Sequence, residues 1–290
     1  YDYKGFIDTL TKAVESGDVP MERIDEAVRR ILTVKADLGL FDGDPLQPGA
    51  PLAEGVGSPE HRELARRAVR QSLVLLENDR NALPLIEDTP LIYVGGVAAD
   101  DIGIQIGGWS TQWQGQAGDI TNGTTILEGI REVSKPGTNV IHDADGRFDR
   151  FTNAQGDQLL ADAAIAVVAE RPYAEGVGDS ADLALPPADL AMVQRMRDSS
   201  RRLILVVLAG RPVDIDDLLP LADAVVVAWL PGSEGAGVAD ALFGHAPFAG
   251  KLPFTWPRSV DQLPFDFAAL PADGPDAPLF PVGFGLSTGQ

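Results

Sequence analysis

Leu203-Ile204-Leu205-Val206-Val207-Leu208 is six apolar residues with no polar interruption. A strand with one wet face alternates apolar and polar residues, so an unbroken run this short reads as a strand buried on both faces. Ile165–Ala169, Ala224–Trp229 and Leu91–Val94 read the same way, with weaker strands at Asn139–His142 and Lys251–Thr255. Helical periodicity falls between them, at Ile126–Val133, Asp189–Arg197, Val213–Leu219 and Gly237–Phe243. Alternating strands and helices predict an α/β domain with a mainly parallel six-stranded sheet sandwiched between helices. Ligands of such sheets bind beyond the carboxyl ends of the strands. The loops that matter are therefore Gly95–Gly123, Glu170–Pro186, Gly210–Pro212 and Pro231–Gly237.

Upstream of this domain, residues 6–40 carry apolar stripes at helical spacing, with Phe6, Leu10 and Val14 in one and Ile24, Val28 and Ile31 in a second. Three prolines and four glycines between Asp42 and Gly57 mark a linker. Ser58-Pro59 then has the form of an N-cap followed by proline at N1. The helix it opens is expected to run to about Leu76, with Leu64, Ala68 and Leu75 inward. This divides the chain into a helical segment over 1–43, a linker over 44–60, the α/β domain over 61–260 and a tail over 261–290 that packs on it. The chain begins at Tyr1 rather than Met. We therefore expect a processed product or a fragment, with residues 1–43 linking from a missing N-terminal domain.

Composition excludes several function classes. With 23 Lys and Arg against 43 Asp and Glu, the net charge is −20. Such a surface repels nucleic-acid backbones and anionic lipid, so neither is expected as a partner. No cysteine is present, which removes disulfides, thiolate metal sites and thiol nucleophiles. The longest apolar runs, Leu203–Ala209 and Ala224–Leu230, fall far short of the about 18 residues of a membrane span. Gly244–Leu252 fails as a phosphate loop, and Pro231–Gly235 fails as a serine elbow. The three histidines are expected at the surface, and Trp229 and Trp256 in packing roles.

Two stretches carry chemistry. Glu170-Arg171-Pro172-Tyr173-Ala174-Glu175-Gly176-Val177-Gly178-Asp179-Ser180 follows a strong strand and so belongs at the functional end of the sheet. A carboxyl group in partly desolvated surroundings has a raised pKa and can act as a general acid. The same loop also reads as a solvated acidic surface. Gly107-Gly108-Trp109-Ser110-Thr111-Gln112-Trp113-Gln114-Gly115 sets two indoles four residues apart in a polar setting. Indole faces stack on the C–H faces of sugar rings; the alternative is two tryptophans filling a gap.

Met21–Leu32, His61–Ala65, Ser72–Asn78, Gly107–Gly115, Pro172–Ser180, Trp229–Gly235, Ala239–Gly244, Gly250–Pro253 and Pro278–Leu286 together resemble the C-terminal half of a glycoside hydrolase family 3 enzyme. The likeness is to the plant and bacterial exo-β-glucanase and β-glucosidase branch. It implies an N-terminal (β/α)8-type barrel and a C-terminal six-stranded α/β sandwich with the active site between them. It implies retaining hydrolysis that frees glucose from the non-reducing ends of β-glucans or β-glucosides. By this resemblance Glu175 matches the general acid/base, and Trp109 and Trp113 match the aromatic wall of the sugar pocket, with Trp113 clamping the leaving sugar. Arg171, Tyr173 and Asp179 are expected to tune or position Glu175. The family's nucleophile is a barrel aspartate in a Ser-Asp-Trp context, and no Ser-Asp dipeptide occurs here. No nucleophile is therefore assigned in this chain, and the barrel becomes its expected partner. No metal or other cofactor is expected. Periplasmic or secreted localisation is what the resemblance favours. A non-catalytic carbohydrate-binding domain and a nucleotide-binding domain remain the competing readings.

Overall fold

The computed structural model describes residues 2–43 and 55–288. The expected linker over 44–60 lies largely outside the described residues. The chain divides into two compact units, Tyr1–Ser58 and Pro59–Gln290. The first holds helices α1 (Tyr3–Glu15) and α2 (Met21–Asp37). Asp2 caps α1 by accepting from the Gly5 amide, which satisfies a backbone donor that the helix cannot. No residue of either helix is buried, and Phe6, Ile7, Val28, Ile31 and Leu32 are exposed.

The second unit opens with α3 (Pro59–Ser72) and continues into β1 (Val74–Asn78). The helix stops four residues short of the expected Leu76. Leu73-Val74-Leu75-Leu76 is apolar on every side, and a strand lets both faces be covered: Leu75 joins one core, Val74 and Leu76 the other. Leu64 and Ala68, expected inward, are exposed; Val69 is the buried residue of α3. The inward face of α3 is instead ionic, carried by Arg62, Arg66 and Arg70.

The sheet continues with β2 (Leu91–Gly95), α4 (Ile102–Ile106), α5 (Ile126–Val133), β3 (Asn139–Asp143), β4 (Ala163–Ala169), α6 (Pro187–Asp198), β5 (Leu203–Leu208), β6 (Ala224–Val227) and α7 (Ala236–Leu242). Its strand order is β1-β6-β5-β4-β2-β3. All pairs are parallel except β1 with β6. Every residue of β4, β5 and β6 is buried, the burial that the unbroken apolar runs require. One face packs on α5 and α7 through Ile126, Ile130, Val238 and Leu242. The other packs on α6 through Met192 and Met196, on Trp256, and on the tail through Phe280. α5 starts where Thr125 and Glu128 form a reciprocal capping box.

The sixth strand is β1, not Lys251–Thr255. In the latter segment Pro253 lacks an amide donor, and its backbone bonds run to the tail rather than to the sheet. The Leu252 amide donates to the Phe284 carbonyl at 2.8 Å and the Gly283 amide to the Leu252 carbonyl at 2.8 Å, with an isolated bridge between Trp256 and Phe280 just beyond. The helix expected at Val213–Leu219 is also absent. The Val213 carbonyl accepts from the buried Trp256 indole at 2.9 Å, and the Asp214 amide donates to the Leu183 carbonyl at 2.8 Å. A short 3-10 turn at Leu219–Leu221 stands in its place. Trp256 is fully buried. Trp229 packs between Phe254 and Trp256, and its indole donates to the Ser72 carbonyl at 3.1 Å. The Leu286 amide donates to the Leu75 carbonyl at 2.7 Å, which joins the tail to the outer side of β1.

α7 is buried along its whole length. A Cβ at Gly237 would stand 2.8 Å from the Arg66 carbonyl, so only glycine lets α3 and α7 approach this closely. Asp240 is the charge that this helix carries inside. It takes Arg66 at 2.6 and 2.7 Å and Arg70 at 3.0 Å. No helix among the described residues is long and apolar enough to cross a membrane.

Candidate active site

The strand order reverses direction between β2 and β4. The chain leaves β2 outward to β3, then returns to place β4 on β2's other side. The crevice beyond the carboxyl ends of two such strands is where parallel sheets take ligands. A cavity of about 380 Å³ lies there. Its walls come from the segments after β2 (Ile104, Gly107–Trp109), β4 (Glu170–Glu175, Gly178, Asp179), β5 (Ala209–Arg211) and β6 (Leu230).

The structure brings Glu175, Trp109, Arg171, Tyr173 and Asp179 to this cavity. Glu175 is exposed at its rim, and among the described residues no hydrogen bond or ion pair reaches its carboxylate. Trp113 lies outside the lining but stands edge-on to Trp109, with ring centroids 6.0 Å apart. The two indoles are 67% and 54% exposed, so they fill no interior gap. The Trp109 backbone is left-handed at φ 57°, a conformation that costs a non-glycine residue of order 1–3 kcal/mol. Its amide is held by the Trp113 carbonyl at 2.8 Å.

The two chemistry-bearing loops are stitched together. Gln114 accepts from the Ala174 amide at 2.9 Å through its side-chain oxygen. Its side-chain nitrogen reaches the Glu175 carbonyl at 3.5 Å. Gly108 lies directly against the second loop: a Cβ there would sit 1.9 Å from the Tyr173 carbonyl oxygen. Gly108→Ala is therefore expected to force the loops apart and to lower stability by about 1–3 kcal/mol. Thermal melting with tryptophan emission checks this; an unchanged midpoint and spectrum would contradict the contact.

Tyr173 and Arg171 do not touch the Glu175 carboxylate. The Tyr173 hydroxyl donates to Glu170 Oε2 at 3.0 Å. Burial, then the adjacent Glu170 charge, push its phenol up to about 12. Arg171 is exposed and acts electrostatically on Asp189, whose carboxyl is raised by burial.

Sequence reasoning missed Arg211. It lies in the Gly210–Pro212 loop at the end of β5, and its Nε and Nη2 hold Glu170 Oε1 at 2.8 and 2.7 Å. Burial works to lower the guanidinium's pKa, but the Glu170 hydrogen bonds and charge outweigh it and raise it. The available signal was only its place at a strand end, since its partner is 41 residues away. Among the described residues no group of His, Asp and Glu is arranged to hold a metal ion.

The Glycosyl hydrolase family 3 C-terminal domain matches residues 73–288. A lysosomal β-glucosidase of Dictyostelium discoideum is 33% identical over 96% of this chain and 36% of its own length. A periplasmic β-glucosidase of Salmonella typhimurium is 29% identical over 96% of this chain and 42% of its own. The chain thus spans well under half the length of these curated relatives. Among solved structures, an exo-1,3/1,4-β-glucanase from a Pseudoalteromonas species superposes with a TM-score of 0.79 at 36% identity, over 98% of this chain and 46% of that one. The match runs through β1, both chemistry-bearing loops and the tail, and on it the chain belongs to glycoside hydrolase family 3, whose C-terminal domain it carries.

Proposed function

We propose that this chain is the acid/base-bearing part of a retaining, exo-acting β-glucosidase or exo-β-glucanase that releases glucose from the non-reducing ends of β-glucans. The observation that carries the reading is the placement of Glu175 and Trp109 on one cavity at the switch point of the sheet. The β-glucosidase and exo-glucanase names of the relatives support it.

Retaining hydrolysis needs two carboxyl groups about 5–5.5 Å apart. Glu175 is one. The other is assigned to a barrel domain, because no carboxylate of this chain has the family's nucleophile context. In the first step the barrel carboxylate bonds to C1 as the glycosidic C1–O bond breaks, and the Glu175 proton passes to the departing oxygen. In the second, Glu175 takes a proton from water, the hydroxide oxygen bonds to C1, and the nucleophile's bond to C1 breaks. Trp109 and Trp113 offer their exposed faces to glucosyl rings. General acid catalysis near neutral pH works best where water is excluded. Glu175 is exposed on this chain, so the barrel supplies that exclusion.

Assays of the purified chain on an aryl β-glucoside, alone and mixed with a separately expressed family 3 barrel, test this. We expect no turnover alone and turnover with the barrel. Turnover by the chain alone would overturn the assignment of the nucleophile to other polypeptide. Failure of the mixture, with laminaribiose binding that Trp113→Ala abolishes, would favour a carbohydrate-binding module that does no chemistry.

A further inference from the structure

We infer that Arg211 is the positioning residue that sets where the Glu175 carboxyl stands, an inference that rests on the acid/base reading of Glu175. One guanidinium holds the loop at three places. At its start, Nε and Nη2 grip Glu170 Oε1 at 2.8 and 2.7 Å. At its centre, the guanidinium carbon lies 4.4 Å from the centroid of the Tyr173 ring, and Tyr173 in turn donates to the second oxygen of Glu170. At its far side, Nη1 donates to the Gly178 carbonyl at 2.7 Å.

Glu175 sits between these anchor points. The Gly178 amide closes back on the Ala174 carbonyl at 2.8 Å, and the Val177 amide on the Glu175 carbonyl at 2.9 Å. The tip that bears Glu175 is thus a tight turn whose two feet are tied to one side chain in the loop that follows the neighbouring strand β5. That side chain is three-quarters buried, and the Glu170 side chain is more so. A lysine cannot copy the arrangement: its ammonium lacks the planar fork that grips a carboxylate while it stacks on a ring and reaches a carbonyl. Arg211 stands on the same cavity as Glu175 but makes no contact with its carboxylate, so it acts through the loop.

Two measurements test the inference. In the 290-residue chain, hydrogen exchange of the backbone amides over 173–179 reads the loop directly. Arg211→Lys is expected to speed exchange there while leaving β4 and β5 protected. In the chain assembled with a family 3 barrel, Arg211→Lys and Glu170→Gln are compared with Glu175→Gln on methyl β-glucoside, whose leaving group needs a proton, and on 2,4-dinitrophenyl β-glucoside, whose leaving group does not. Misplacing the group is expected to lower kcat/KM, which reports the first step alone, by about 10–100-fold on the methyl glucoside and to leave kcat/KM on the dinitrophenyl glucoside little changed. Glu170→Gln keeps the fold's hydrogen-bonding capacity and serves should Arg211→Lys fail to fold. Equal losses of kcat/KM on both substrates, or unchanged exchange over 173–179, would overturn the positioning role. Neutral Arg211→Lys and Glu170→Gln beside a damaged Glu175→Gln would overturn it alone, whereas a neutral Glu175→Gln would overturn the acid/base reading and this inference with it.

Discussion

Glu175→Ala, in the chain assembled with a family 3 barrel, is expected to slow hydrolysis of glucosides with poor leaving groups by about 10²–10⁴-fold, the usual contribution of a general acid. The leaving group then departs without a proton, so the loss in kcat/KM, which reports the first step, shrinks as the leaving group becomes more acidic. With dinitrophenyl glucoside the first step survives and the second fails, because nothing activates water. Azide, which needs no general base, should then restore turnover and give β-glucosyl azide. Steady-state rates across a leaving-group series, with and without azide, check this. A loss in kcat/KM of the same size for all substrates, or indifference to azide, would remove Glu175 from the role. The exposed rim position of Glu175 and its lack of a bonded partner among the described residues fit a group that must meet two oxygens in turn. A carboxylate locked in an ion pair, as Glu170 is with Arg211, could not serve both.

The second large effect is on stability. Asp240 is buried beneath Arg66 and Arg70 on a helix with no exposed residue. Asp240→Asn leaves two guanidinium groups, each about a quarter exposed, without their counter-charge. Breaking a buried pair costs up to about 3–5 kcal/mol; the partial exposure of both arginines brings the expected loss to about 2–4 kcal/mol. The pH dependence has a definite sign. Burial works to raise the Asp240 carboxyl, but Arg66 first and then Arg70 outweigh it and hold it below the ordinary aspartate range. Its folded-state pKa therefore lies below its unfolded one, near about 3.9. The stabilisation is complete above that value and is lost as pH falls through the folded-state pKa. Urea denaturation at pH 7 and pH 3 should show a wide gap between wild type and Asp240→Asn at pH 7 that narrows at pH 3. Coincident midpoints at pH 7 would refute the pair's contribution.

How far such features can be read in advance depends on what hides them. Leu203–Leu208 and Ile126–Val133 were legible because burial on both faces, or on one helical stripe, leaves an unmistakable residue pattern. β1 was not, since Leu73–Leu76 follows a helix with no break and four apolar residues suit either geometry. The inward face of α3 was opaque for a different reason. It is lined by arginines, which a hydrophobic stripe cannot reveal, and their partners Glu234 and Asp240 lie more than 150 residues on. At the site, the rule that ligands gather beyond the strands' carboxyl ends brought out the loops bearing Trp109 and Glu175. It also flagged the Gly210–Pro212 loop without marking Arg211, whose task depends on where Glu170 and Gly178 arrive in space. Arg171, Tyr173 and Asp179 share the cavity with Glu175, but nearness in the chain gave no hint that Tyr173 turns toward Glu170.

The bond from Leu286 to Leu75 has a consequence for behaviour in crowded solution. β1 is the outermost strand on its flank, and a bare outer strand offers a row of unpaired donors and acceptors onto which another copy can zip. The returning tail occupies part of that row, and on the opposite flank β3 is only five residues long and ends on charged Asp143. Both margins of the sheet are thereby made poor templates for intermolecular β-pairing, a guard against fibrillar self-association.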